Sequence, residues 1–287
     1  MSVRPAEGAL PRLVALDLDG TLLTNDKRLT PRARAAVRAL DARGVHVVVC
    51  TGRPPRSAVA YAEELGLHHP FVCFNGAALY DPKRRAVRVR HHLDAEVARI
   101  ALARLRAAFP GVMAGLETDH GWYLDDALYS LRSSEARLGP EEPTGVGDIE
   151  RFLGQGAVKL FARHGSVDAA ELADALDDLA LYRTWSSPAM LELLDPRVDK
   201  RGALQELCEA LGIDRSQVAA FGDQRNDVEM LAWAGLGVAV ANASPPARRA
   251  ADLVIGSNES DAVAVTLERW LAGNPPGSAH RTPTTGG

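Results

Sequence analysis

Two aspartates one residue apart, Asp17 and Asp19, follow directly on the apolar run "LVAL" and lead into Gly20 and Thr21. Such a pair can simply reverse the chain, since Asp is a common turn former. A second acidic group, Asp223 with Asn226 and Asp227, follows another apolar run in "VAAFGDQRND". Between the two lie Thr51-Gly52-Arg53 after "VHVVVC" and Asn75-Gly76 after "FVCF". In an open parallel sheet, ligands bind outside the carboxyl ends of the strands, and all four clusters fall at such ends. Four acidic side chains converging on one place repel strongly unless a cation lies among them. Hard carboxylate oxygens at an open site favour Mg2+.

The elements that must position these clusters follow from the pattern. Residues 13–16 read as a buried strand running into a loop. Thr30 as N-cap, Pro31 at the first helical position, Ala33, Ala36, Val37 and Leu40 at helical spacing and Gly44 as terminator predict a helix. A second strand at 45–50, a break at "TGRPP", a helix within 56–66 and a third strand at 71–74 complete an alternation that predicts parallel pairing with right-handed crossovers. The alternation returns with a helix over 201–211, a strand at 218–223, a helix over 226–234, a strand at 237–241, a short helix from Ser244, a strand at 252–256 and a last helix over 259–271.

Between these halves the grammar changes to a hairpin over 78–92, a long helix over 94–108, several short strands, a helix over 168–179 and paired strands at 181–194. Strands in runs suggest an α+β insert. The expectation is a doubly wound, Rossmann-like parallel-sheet α/β core made of residues 1–81 and 191–272, with an inserted α+β domain at 82–190. The tail 273–287 has little to bury and reads as disordered.

Composition agrees with a globular enzyme of about two domains. The chain has 287 residues, 46% hydrophobic and 24% charged, with a net charge of -4. Nothing in it is basic enough to suggest nucleic acid. No apolar run approaches the roughly 18 residues of a membrane span, and the N-terminus lacks a secretory pattern, so a cytoplasmic protein with no membrane partner is expected. The pattern suits a monomer and a homodimer equally. Cys50, Cys73 and Cys208 are odd in number and without metal spacing, so they read as small buried hydrophobes. The pairs His68-His69 and His91-His92 read as solvated loop residues, and Arg84, Arg85, Arg88 and Arg90 as a solvated hairpin face. Lysine occurs only at 27, 83, 159 and 200 among 33 basic residues. A lysine kept in such a chain calls for a reason.

The stretch "DLDGTLL" resembles the first motif of the haloacid dehalogenase superfamily, DxDGT/V. "TGR" at 51–53 is similar to its second motif, Lys200 in "VDKRGALQEL" to its third and "GDQRNDVEML" from Gly222 to its fourth. "FNGAALYD" and "GVAVANASPPARRAADLVIGSNESDAV" resemble the Cof-type branch, subfamily IIB, whose α+β cap of the C2 type is inserted between the second and third motifs. One departure is Arg201 after Lys200, where the family commonly has Gly; here Gly202 comes one later.

The resemblance implies a Mg2+-dependent phosphatase acting on small phosphate monoesters such as sugar phosphates or phosphorylated cofactors. Asp17 would be the nucleophile that forms an aspartyl phosphate, and Asp19 the acid and base. Mg2+ would be held by Asp17, the Asp19 backbone carbonyl and Asp223, with Asp227 steadying its water shell. Thr51, Gly52, Lys200, Asn226 and Asn75 would bind the phosphate or the substrate. Plainer uses stand beside these: Thr51 and Asp227 as helix caps, Lys200 as a surface residue, Asn75 as a turn. Two other functions fit the same chain. A phosphomutase would isomerise its substrate without releasing phosphate, and a binding regulator would be expected to lose one of the aspartates, all of which are present. In the insert, Glu117, Trp122, Tyr123, Trp185 and Met190 are candidates for substrate choice, with cap core as the commoner use of such aromatics.

Overall fold

In the computed structural model, which describes residues 9–132 and 141–274, Leu13–Leu16 forms strand β1 and has no exposed residue. Helix α1 (Pro31–Asp41) starts as expected: the Thr30 hydroxyl accepts the Ala33 N–H at 3.0 Å and Pro31 opens the first turn. Its buried residues are Ala33, Ala36, Val37 and Leu40. Strand β2 (His46–Val49), helix α2 (Pro55–Leu65) and strand β3 (Phe71–Cys73) follow. The described chain divides into two compact units. One holds the residues up to Thr51, Ala60–Phe71 and the residues from Lys200 onward; the other holds Gly52–Val59 and Val72–Asp199.

The second unit contains the hairpin of β4 (Ala78–Asp81) and β5 (Ala86–Val89), helix α3 (Ala95–Ala108), β6 (Met113–Thr118), β7 (Trp122–Leu124), α4 (Asp126–Leu131), β8 (Gly145–Val146), β9 (Ala157–Arg163), α5 (Ala169–Asp174), β10 (Tyr182–Ser187) and β11 (Met190–Leu194). Its main sheet runs β10-β11-β9-β6-β7-β8. Alternate residues of three strands, Ala114 and Leu116, Leu160 and Ala162, Leu191 and Leu193, share one core with Leu102 and Leu105 of α3 and Leu172 of α5, as the period of two in a strand requires. Asp94 caps α3 by accepting the N–H groups of Glu96 and Val97. Helix α5 ends at Asp174, five residues earlier than its pattern predicts. Acidic side chains at 174, 177 and 178 sit where the helix dipole disfavours negative charge, and the chain continues in tight turns.

Back in the first unit come α6 (Lys200–Leu211), β12 (Val218–Gly222), α7 (Val228–Trp233), β13 (Leu236–Ala239), α8 (Pro245–Ala250), β14 (Leu253–Val254) and α9 (Ala262–Leu271). The sheet order is β14-β13-β12-β1-β2, and every pairing in it is parallel. From β1 the chain proceeds to β2 on one side, and the later strands fill the other. The β1/β12 boundary is therefore the switch point at which such sheets bind ligands.

Two further expectations need correction. Strand β3 does not extend this parallel sheet but joins β4 and β5 in a three-stranded one. It has three residues, and the next three, Phe74, Asn75 and Gly76, all have positive φ (50°, 55° and 106°), turning the chain straight into β4. The helix expected from 226 begins at Val228, after a 3-10 turn over Arg225–Asp227. Gly273 and Asn274 hydrogen-bond back onto α9, and the rest of the expected tail, 275–287, lies outside the described residues. No helix among the described residues is long and apolar enough to cross a membrane. All three cysteines are buried.

Because Leu16 is wholly buried in a strand paired on both sides, Leu16→Ala is expected to destabilise the first unit by about 2–5 kcal/mol. Urea unfolding followed by tryptophan fluorescence checks this, and a loss under about 1 kcal/mol would contradict the packing described.

Candidate active site

Strands β1 and β12 run side by side with Leu16 opposite Phe221. Their ends therefore deliver Asp17 and Asp223 to the same edge. Asp17 N–H still bonds the Phe221 carbonyl at 3.1 Å. From the start of α6, Lys200 reaches into this edge with a side chain of 0% exposure. Its Nζ lies 2.7 Å from Asp17 Oδ1 and 2.6 Å from Asp227 Oδ1. The other oxygen of Asp227 accepts the N–H groups of Asp223 and Gln224, both at 3.0 Å. Asp223 accepts from the Thr21 hydroxyl at 3.2 Å and from Gln224 Nε2 at 3.1 Å. Asp17, Asp223 and Asp227 each offer an oxygen within 4.8 Å of the others.

Two glycines permit this crowding. Gly20 has φ +82°, and a Cβ there would stand 2.4 Å from Asp223 Oδ2; a Cβ on Gly222 would stand 2.5 Å from that of Asp227. Both are positions where only the missing side chain admits the neighbouring acid.

Burial dominates the electrostatics. It pushes Asp17 well above the usual carboxylate range, with Lys200 opposing and Asp227 and Asp223 adding to the rise. Burial likewise pushes Asp223 up to about 7, helped by Asp227. The Lys200 ammonium would lose its proton more easily through burial alone, but Asp17 and Asp227 outweigh that and raise it. Three buried carboxylates against one ammonium leave negative charge without a counterpart, and every donor is a hard oxygen. The residues fit a divalent cation of the Mg2+ type.

Asp19 is also in the first unit, its side chain 24% exposed and 2.9 Å from Lys27 Nζ. Lys27 itself has φ 63°, and Tyr61 donates to its carbonyl at 3.0 Å. Thr51 is buried two residues beyond β2, and Asn226 is half-buried in the turn before α7. Gly52 and Asn75 meet in the second unit, where Asn75 Oδ1 lies 2.8 Å from the place a Gly52 Cβ would take. Of the candidates in the insert, Glu117 is buried and paired with Arg56 at 2.6 Å, and Arg56 covers the Trp122 ring at 4.0 Å. Tyr123 stacks on Phe152 and bonds Gln155 at 2.8 Å, while Trp185 and Met190 pack on apolar clusters. Thr21, Gln224 and Lys27 were not predicted as site residues. Thr21 lies in the DGT stretch and Lys27 is one of four lysines, so both had a signal; Gln224 had none.

A parallel sheet with an acidic cluster at its switch point defines a Rossmann-like α/β enzyme. The family of haloacid dehalogenase-like hydrolases matches residues 14–267. A 5-amino-6-(5-phospho-D-ribitylamino)uracil phosphatase of Bacillus subtilis is 30% identical, over 91% of this chain and 98% of its own. A pyridoxal phosphate phosphatase of Escherichia coli is 31% identical, over 88% and 96%. The crystal structure of a haloacid dehalogenase-like hydrolase from Bacteroides thetaiotaomicron superimposes with a TM-score of 0.77 at 27% identity, covering 90% of this chain and 98% of that one. The chain belongs to the haloacid dehalogenase-like hydrolase family, in its Cof-type branch, and is a phosphatase.

Raised carboxyl groups make the fold sensitive to pH in one direction. Asp17 and Asp223 keep protons in the folded state that the unfolded chain releases near about pH 4, so their contribution is present below that pH and is lost as pH rises through their raised folded values, about 7 for Asp223. In EDTA the urea midpoint is expected to fall between about pH 5 and about pH 8, and saturating Mg2+ to restore it at the upper end. A midpoint that rises over this range in EDTA would overturn the burial account.

Proposed function

We propose that the protein is a Mg2+-dependent phosphomonoesterase that works through a phosphoaspartyl intermediate on Asp17. The observation that carries this reading is the Lys200 ammonium bridging Asp17 and Asp227 beside Asp223. Phosphatases of this superfamily use a divalent metal, usually Mg2+. Asp17, Asp223 and the backbone carbonyl of Asp19 would hold it, with Asp227 fixed behind them by its bonds to Lys200 and two backbone N–H groups. When bound, the cation supplies the positive charge that lets a carboxylate approach a phosphate dianion.

The residues divide the reaction in two. An Asp17 oxygen attacks phosphorus as the bond to the leaving oxygen breaks, and Asp19, protonated, gives that oxygen its proton to release an alcohol. Asp19, now a carboxylate, takes a proton from water as the water oxygen attacks phosphorus. The bond to Asp17 breaks, inorganic phosphate leaves and both groups return to their starting states. Lys200 keeps the Asp17 oxygen oriented and adds a fixed positive charge beside it. Thr51, Gly52 and Asn226 are read as phosphate contacts and Asn75 as a substrate contact.

The relatives named for a ribitylamino-uracil phosphate and for pyridoxal phosphate support phosphorylated cofactors and their precursors as the substrate class. We read the second unit as the cap that makes this choice and the enzyme as cytoplasmic.

Phosphate release from a panel of phosphorylated metabolites, with Mg2+ and with EDTA, tests the proposal. Metal-dependent release that falls by at least about 10³-fold in Asp17→Asn is expected. Retained activity in pure Asp17→Asn would remove Asp17 as nucleophile, and an isomerised, still phosphorylated product would make the protein a mutase.

A further inference from the structure

The loops that follow β13 and β14 each carry an asparagine, Asn242 in "NAS" and Asn258 in "SNES", and both reach the loop of Asp19. Asn242 Nδ2 donates to the Gly20 carbonyl at 2.7 Å, and its Oδ1 accepts the backbone N–H of Asn258 at 3.0 Å. Asn258, only 4% exposed, turns its Nδ2 to the Leu23 carbonyl at 3.0 Å and to Asn25 Oδ1 at 3.1 Å. The neighbouring Glu259 accepts the Asn25 N–H at 2.5 Å. A continuous chain of hydrogen bonds thus runs from the carbonyl of residue 20 to that of residue 23.

The segment it clamps is a single turn built on Asp19. The Leu18 carbonyl accepts the N–H groups of Leu22 and Leu23 at 3.1 and 2.8 Å, and Asp19 makes an isolated bridge with Leu23. Within the turn, the carbonyls of Gly20 and Leu23 accept from the two asparagines. Asn242 uses both ends of its carboxamide, as acceptor and donor, and Asn258 donates with its amide to a backbone oxygen. An aspartate in either place would set a carboxylate against a carbonyl oxygen.

We infer that Asn242 and Asn258 are positioning residues for Asp19, setting the turn from which it presents its carboxyl group for proton transfer. The inference rests on the acid and base role given to Asp19 above. It also explains what the "NAS" and "SNES" stretches do, which is to reach across from the far strands of the sheet and hold the loop at the centre. Proton transfer is sensitive to displacements of an ångström, so loosening the turn acts on chemistry before it acts on binding.

The test uses two substrates whose leaving groups differ in their need for a proton, followed in the first turnover so that only transfer to Asp17 is read. One is an alkyl phosphate; the other is 4-nitrophenyl phosphate, whose leaving group departs without protonation. Asn258→Asp is expected to slow the first turnover of the alkyl phosphate by roughly 30- to 100-fold while changing that of the aryl phosphate by less than about threefold, with KM little altered. Asn242→Ala, at an exposed position, should show the same split more weakly and carries the test if Asn258→Asp does not fold. Asp19→Asn is the control. If it lacks the split, the acid role of Asp19 fails and the inference falls with it. If Asp19→Asn shows the split but the asparagine variants slow both substrates alike, or neither, the two residues merely staple the fold and the inference is overturned.

Discussion

Lys200 holds an ammonium ion out of water between Asp17 and Asp227, and that contact sets the terms for the rest of the site. Taking an ammonium and three carboxylates into the interior costs several kcal/mol per ion unless each finds partners. The partners are supplied locally: two backbone N–H groups for Asp227, a threonine hydroxyl and a glutamine amide for Asp223, the lysine for Asp17. The charge not balanced from within is negative, and that surplus makes the cluster suited to a cation and to a phosphoryl group brought in with it.

The sheet is what makes such a cluster possible. Because β1 and β12 are neighbours in parallel register, their C-terminal residues emerge at one level, and small residues at 20 and 222 let the acids close in. Lys200 is the residue at which the chain re-enters the first unit, so it enters the site at the end of the insert and the start of α6.

Much of this was legible from residue types and spacing. The cap, proline and apolar spacing of α1 map onto the observed helix residue by residue, and the clusters at 17–19, 200 and 223–227 stand at strand or helix ends as their pattern required. Other features left little trace. Positive φ at Phe74 and Asn75 is not marked by glycine, so the turn that takes β3 out of the parallel sheet could not be read. Helix α5 stops where acidic residues gather, a weak signal against a good apolar period. Asn242 and Asn258 were visible as residues, but their partners are mainly backbone groups, which every sequence possesses and none advertises.

The ion pair between Lys200 and Asp17 joins residues 183 positions apart, and β1 lies inside a sheet whose β12, β13 and β14 are encoded after the insert. During synthesis the N-terminal segment must wait, with a strand edge unpaired and its acids without their counter-charge, until the last third of the chain has left the ribosome. The insert, whose sheet is made of contacts within its own length, is complete before that. Long-range parallel pairing is slow and leaves apolar edges open in the meantime. A chain that ends before residue 200 has β1 paired with β2 alone, without β12 on its other side and without the lysine that neutralises Asp17, so its acids stand at an open apolar edge and not in a site.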